Sequence, residues 1–194
     1  MVIHPPVVFL GYAAFTIPFA YAVGGFWRGE YDKWVRRALL CTVFAFVSLG
    51  AGIIIGGYWS YKVLGWGGYW GWDPVENASL VPWLATLALT HGMFLQRGRN
   101  RFRRLNLILA AAAYLLVVYA TFLTRSGVLS SVHSFAQSAI GPLFFGFIGL
   151  TLVTSLALLL YRWNDLKGET QMHSMLSREA LFLLNNLLFL GILI

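Results

Sequence analysis

Charge and cysteine are what this 194-residue sequence has least of. Only 11% of its residues are charged, against roughly 25% in an average soluble domain. With 59% hydrophobic residues, a water-soluble globule would have too little charge to cover its surface. Composition therefore points to a membrane protein. The single cysteine, Cys41, excludes an internal disulfide, a CxxC redox pair, a thiolate metal cluster and a CxxCH attachment site. Repeats, low-complexity tracts and an inserted soluble domain are also lacking. The first apolar run is too long for a signal peptide, and no basic n-region leads it.

What is present is a series of long apolar stretches. Crossing a hydrocarbon core of about 30 Å takes about 20 mostly apolar helical residues. Spans are expected at Val7–Trp27, Ala38–Trp59, Leu80–Gln96, Leu105–Thr124 and Pro142–Tyr161. A sixth begins near Glu179 and is still apolar at Ile194, where the sequence stops. The expected fold is an all-α polytopic transmembrane bundle, with five complete spans, a truncated sixth, an outward tryptophan-rich loop and a short helix. The sequence reads as one membrane domain cut from, or split out of, a larger protein. Pro18 is expected to kink the first span, and Gly50, Gly52, Gly56 and Gly57 to allow close helix packing.

The net charge of +7 would suggest nucleic acid in a soluble chain, but here it is a topology signal. Twelve of the basic residues lie in Arg28–Arg37, Arg97–Arg104 and Arg162–Arg178, whereas the other two loops hold only Lys62 and Arg125. The positive-inside rule makes the three basic loops cytoplasmic. The N-terminus, Ser60–Ser79 and Arg125–Gly141 then face outward.

Five of the eight tryptophans fall between Trp59 and Trp83, around the run Trp66-Gly67-Gly68-Tyr69-Trp70-Gly71-Trp72-Asp73-Pro74-Val75-Glu76. An interfacial aromatic belt would spread such rings over all helix ends. Crowded on one glycine-rich loop, they suit a platform for a large flat ligand. Asp73, Pro74 and Glu76 also form a helix-start signature of N-cap, N1 and N3, so a short helix is expected to lead into the third span, with Pro82 resetting the chain.

His4 and His133 fall on the same outward side as this loop, where two imidazoles could be both axial ligands of a haem, or interfacial histidines without a ligand. His91 lies inside the third span: a ligand of a second, buried b-type haem, or a neutral histidine bonded between helices. Arg125 is a candidate partner for a haem propionate or a headgroup anchor. His173, in a basic loop, has no assigned role.

The segment Trp66–Ser79 resembles the "WWD" signature of haem-handling membrane proteins of cytochrome c maturation, and is most similar to CcmF-type haem lyase subunits. Ile3-His4-Pro5-Pro6, Trp66–Trp83, Thr121–Ala136 with its Arg-Ser-Gly-Val-Leu-Ser-Ser-Val-His core, and Glu179–Leu188 with Asn185-Asn186 carry the likeness. Tyr69 stands where a Trp is frequent in the family. The resemblance implies that His4 and His133 ligate the iron of haem b at the WWD region. It implies that His91 ligates a transmembrane b-type haem, whose partner ligand lies in a C-terminal part outside this sequence. It implies that Trp66, Trp70, Trp72 and Asp73 contact haem, with Tyr69 keeping an aromatic face. Implied partners are a haem chaperone, other cytochrome c maturation subunits, apocytochrome c and membrane lipid, but no nucleic acid. The implied location is a bacterial inner membrane or a mitochondrial one. No conventional nucleophile or acid–base pair is found, so no catalytic residue is expected, and whether the chain is an enzyme stays open. A haem exporter and an electron-transfer b-type cytochrome subunit are the alternatives.

Overall fold

The computed structural model describes residues 2–65, 67–99, 102–129, 131, 133, 140–166, 181 and 184–185. Six helices follow in chain order: α1 His4–Ala14, α2 Thr16–Arg28, α3 Lys33–Val63, α4 Pro74–Arg99, α5 Arg103–Ser126 and α6 Gly141–Tyr161. Helices α1 and α2 together make one span, so among the described residues five segments are long and apolar enough to cross a membrane. The chain is an all-α, multi-pass membrane protein. Of the expected sixth span only residues 181, 184 and 185 are described, in helical conformation; the rest of it, Asn186 included, and His173 lie outside the described residues.

The first span breaks upstream of the expected kink. Pro18 has no N–H to give the Ala14 carbonyl, and its ring crowds that carbonyl. The helix ends at Ala14, Phe15 N–H turns back to Tyr12 O at 3.2 Å, and α2 restarts at Thr16. A second correction concerns the tryptophan loop. The short helix expected at Asp73 is not separate, because α4 starts at Pro74 and runs unbroken through Pro82. The Thr86 hydroxyl donates to Pro82 O at 2.7 Å. Pro82 therefore resets nothing.

Burial explains the order of packing. One core cluster lies toward the ends of the spans that carry the basic loops, around Phe26, Trp34, Ala38, Leu89, Met93 and Leu107. A second lies toward the tryptophan loop, around Tyr12, Phe15, Leu49, Ala85 and Val117. Helix α1 lies directly on α3: a Cβ on Gly11 would come within 2.8 Å of the Leu49 backbone, so only glycine permits that approach. Helix α6 is apolar on its outside. Leu143, Phe145, Leu150 and Val153 are exposed, while Thr151, Ser155 and Leu158 turn inward. The two hydroxyls donate to Phe147 O and Thr151 O one turn back, at 2.8 and 2.7 Å, so neither is buried unsatisfied.

The basic end is tied together by side chains. Arg103 donates to both carboxylate oxygens of Asp32, at 2.6 and 3.3 Å. The Gln96 amide donates to Tyr31 O at 2.6 Å and accepts from Asn106 Nδ2 at 2.8 Å. Arg162 donates to Trp27 O at 3.0 Å and to Asp165 at 3.2 Å, and Arg104 donates to Trp163 O at 2.7 Å while stacking over its ring.

Candidate functional site

At the opposite end the helices leave an open, mainly apolar cavity of about 290 Å³. Helix α1 contributes His4, Val8 and Tyr12, α3 contributes Gly56 and Trp59, and α4 contributes Val75, Glu76 and Ser79. Trp70 closes one side from the loop, and His133 enters from the segment after α5. Positions 4, 8 and 12 are one helical face, as are 75 and 79, which is why residues so scattered meet here.

Each histidine is fixed through one ring nitrogen. His4 Nδ1 lies 2.8 Å from Gly52 O. A carbonyl only accepts, so Nδ1 carries the proton and Nε2 keeps the lone pair. A Cβ on Gly56 would fall on the His4 ring, so glycine there makes room for the imidazole. His133 Nδ1 lies 3.2 Å from Asp73 Oδ2. An ionised carboxylate also only accepts, which gives His133 the same tautomer. In both rings Nδ1 is the anchored nitrogen, and Nε2 is the one left over.

Asp73 and Glu76 act as the helix-start reading expects. Val75 N–H donates to Asp73 Oδ2 at 3.1 Å, and Asp73 N–H donates to Glu76 Oε2 at 3.4 Å, the reciprocal pair of a capping box. Glu76 Oε2 also accepts from Gly71 N–H at 2.9 Å. Across the cavity floor, Ser79 donates to Val75 O at 3.3 Å, and the Tyr12 hydroxyl meets Ser79 Oγ at 2.6 Å. That contact joins α1 to α4.

The other candidates fall in different places. Trp70 lines the cavity and donates from Nε1 to Asn77 Oδ1 at 3.4 Å. Trp72 is exposed and held at φ +55°, and Tyr69 stacks on Tyr61 with ring centres 4.4 Å apart; neither lines the cavity. Trp66 lies outside the described residues. The Arg125 guanidinium sits 5.8 Å over the ring of Phe9, itself a cavity residue. His91 is elsewhere. Seventeen residues along α4 from Pro74 places it about 25 Å down the axis. Its Nδ1 lies 2.9 Å from Leu87 O, and it is half-buried on the side away from Ala85, Leu89 and Met93. Trp59, Phe9, Tyr12, Glu76 and Ser79 line the cavity although none is singled out as a ligand contact by the sequence. For Tyr12 the available signal was its i+8 spacing from His4.

The model of the family described as "Cytochrome C assembly protein" matches residues 1–130. The cytochrome c-type biogenesis protein CcmF of Pseudomonas aeruginosa is 42% identical over 189 residues, which is 96% of this chain and 29% of that protein. CcmF of Escherichia coli is 39% identical over 193 residues, 98% of this chain and 30% of that protein. A solved structure named "Cytochrome c Heme Lyase CcmF" superposes with a TM-score of 0.81 at 35% identity, covering 97% of this chain and 28% of that one. The chain therefore spans less than a third of the length of these relatives. With two-thirds of its residues matched by the family model and nearly all of them by CcmF proteins, the chain belongs to the cytochrome c assembly protein family.

Proposed function

We propose that this chain binds haem b in the cavity between His4 and His133 and presents it for covalent attachment to apocytochrome c. One observation carries the reading: two imidazoles from distant parts of the chain line a single apolar recess, each with Nδ1 engaged by an acceptor and Nε2 left as the lone-pair nitrogen. That is the donor set a bis-histidine haem requires. Apolar walls from Val8, Ile53 and Val75 and the indoles of Trp59 and Trp70 suit the macrocycle. Arg125, whose guanidinium lies over the ring of the cavity residue Phe9, is the proposed partner of a propionate.

Bound haem supplies two vinyl groups, each of which takes up a cysteine S–H across its double bond to form a thioether. The chain's own part is to bind, orient and shield, and positioning of this kind can contribute several kcal/mol. His91 is proposed as one ligand of a second haem b within the membrane. The cavity end faces the periplasm of a bacterial inner membrane, as the charge asymmetry of the loops supports. There it meets a haem chaperone, other maturation subunits and apocytochrome c.

The test is expression in membranes followed by absorption spectroscopy and haem quantitation of the wild type and of His4→Ala, His133→Ala and His91→Ala. Loss of haem content or a changed Soret band is expected in both cavity variants. If neither changes, the proposal fails.

A further inference from the structure

We infer that the two cavity histidines are unequal ligands, and that Asp73 is the positioning residue that makes His133 the stronger of the pair. The inference rests on the haem reading above. It starts from what each Nδ1–H meets. For His4 the acceptor is the neutral carbonyl of Gly52, at 2.8 Å. That carbonyl belongs to α3, where the helical ladder also offers it the N–H of Gly56. For His133 the acceptor is a carboxylate oxygen. An anionic acceptor polarises the N–H bond further, shifts electron density toward Nε2 and strengthens its donation to a metal.

The carboxylate is held for this purpose from several sides. Asp73 Oδ2 takes the Ser131 hydroxyl at 2.7 Å and Val75 N–H at 3.1 Å as well as the imidazole. Ser131 Oγ in turn accepts the backbone N–H of His133 at 2.9 Å, so the same serine fixes the main chain that carries the ligand. Glu76 anchors Asp73 from behind through its backbone N–H. The side chains of Asp73 and His133 are 15% and 24% exposed, which spares their contact most of the screening water would impose.

An N-cap needs only an oxygen acceptor, which asparagine and serine provide equally well. Charge, by contrast, is required only by the imidazole. A haem held by one strong and one weaker ligand opens on the weaker side. His4 is then the ligand that yields to an incoming group, while His133 keeps the iron.

The experiment uses the full chain carrying His91→Ala, purified in detergent and titrated with ferric haem b, with the dissociation constant read from the Soret band. Three forms are compared: the His91→Ala chain, its His4→Ala derivative with only His133 at the cavity, and its His133→Ala derivative with only His4. The His133-only form is expected to hold haem roughly tenfold more tightly than the His4-only form. Asp73→Asn, which keeps the cap, should bring the two within about twofold by weakening the His133-only form alone. Asp73→Ser, which keeps the cap but is too short to reach the ring, should do the same, and the reduction potential of haem bound by both histidines should rise in each. Equal affinities in the two single-histidine forms, or a difference that survives both Asp73 substitutions, overturn this inference and leave the haem reading standing. Failure of the His91→Ala chain to bind haem overturns that reading itself.

Discussion

At the basic end, side chains reach across helices to one another: Arg103 grips both oxygens of Asp32, and Gln96 links Tyr31 to Asn106. At the tryptophan end, the histidines are turned outward from single anchors, Gly52 O and the Asp73 carboxylate, and a cavity stays open between them. Helices α3, α4 and α5 reach both ends, so the contrast lies largely in the chemistry of their termini. Guanidinium and amide groups present several donors in fixed geometry and close an interface. An imidazole fixed through Nδ1 keeps its second nitrogen for something else. The basic end behaves as a clamp, and the open end as a site whose geometry is set by its own anchors.

The most severe way to break this comparison is to fill the open end from within. Gly56 faces the His4 ring, so Gly56→Val must push the imidazole out of place or part α1 from α3. Overpacking of this kind costs about 1–3 kcal/mol, and haem affinity is expected to fall roughly tenfold or more. Gly146→Val is the matched control, since a Cβ there meets nothing within 4 Å. Thermal unfolding in detergent and haem titration of both variants check the pair. Equal behaviour would mean that Gly56 does not govern where His4 sits.

The next substitution acts at the clamp. Asp32→Ala leaves the Arg103 guanidinium, 17% exposed, without its carboxylate. The expected loss is about 1–2 kcal/mol, held down because Asp32 is itself 44% exposed and partly screened. Stability should drop while haem bound per folded molecule stays the same. A loss of haem affinity that matches the loss of stability would show that the two ends are not separable.

The five spans were legible because apolar length is a local, additive signal. Both corrections arose where a local rule met its surroundings. Pro18 does disturb the first span, but through the carbonyl four residues earlier, so the break falls at Phe15. Pro82 is carried inside α4, and the Thr86 hydroxyl donates to the Pro82 carbonyl one turn on. Of the candidate ligand contacts, His4, His133 and Trp70 meet in one cavity. Trp72 and Tyr69 carry the same residue-type signal and turn elsewhere, because aromatic identity says nothing about the direction of a loop residue. Tyr12 and Ser79 were hidden in the apolar pattern of their helices, and only the crossing of α1 and α4 brings them together.

The mildest test asks how far the clamp extends into solvent. Glu30 accepts from Lys33 Nζ at 2.9 Å, two residues before Asp32 in the turn that leads into α3. That hydrogen bond, with the charge of Lys33, holds the Glu30 carboxyl below its usual range. A depressed carboxylate adds stability above its unfolded pKa of about 4.3, and the contribution disappears as pH falls through the lower folded value. Solvent reaches this pair, so the contribution is small. Glu30→Gln should leave the unfolding temperature at pH 7 within experimental error of the wild type, where Asp32→Ala does not. Any residual difference should vanish once the pH is low enough to neutralise Glu30, because both chains then carry an uncharged side chain there. A clear drop at pH 7 would move the edge of the clamp outward to include the α2–α3 turn.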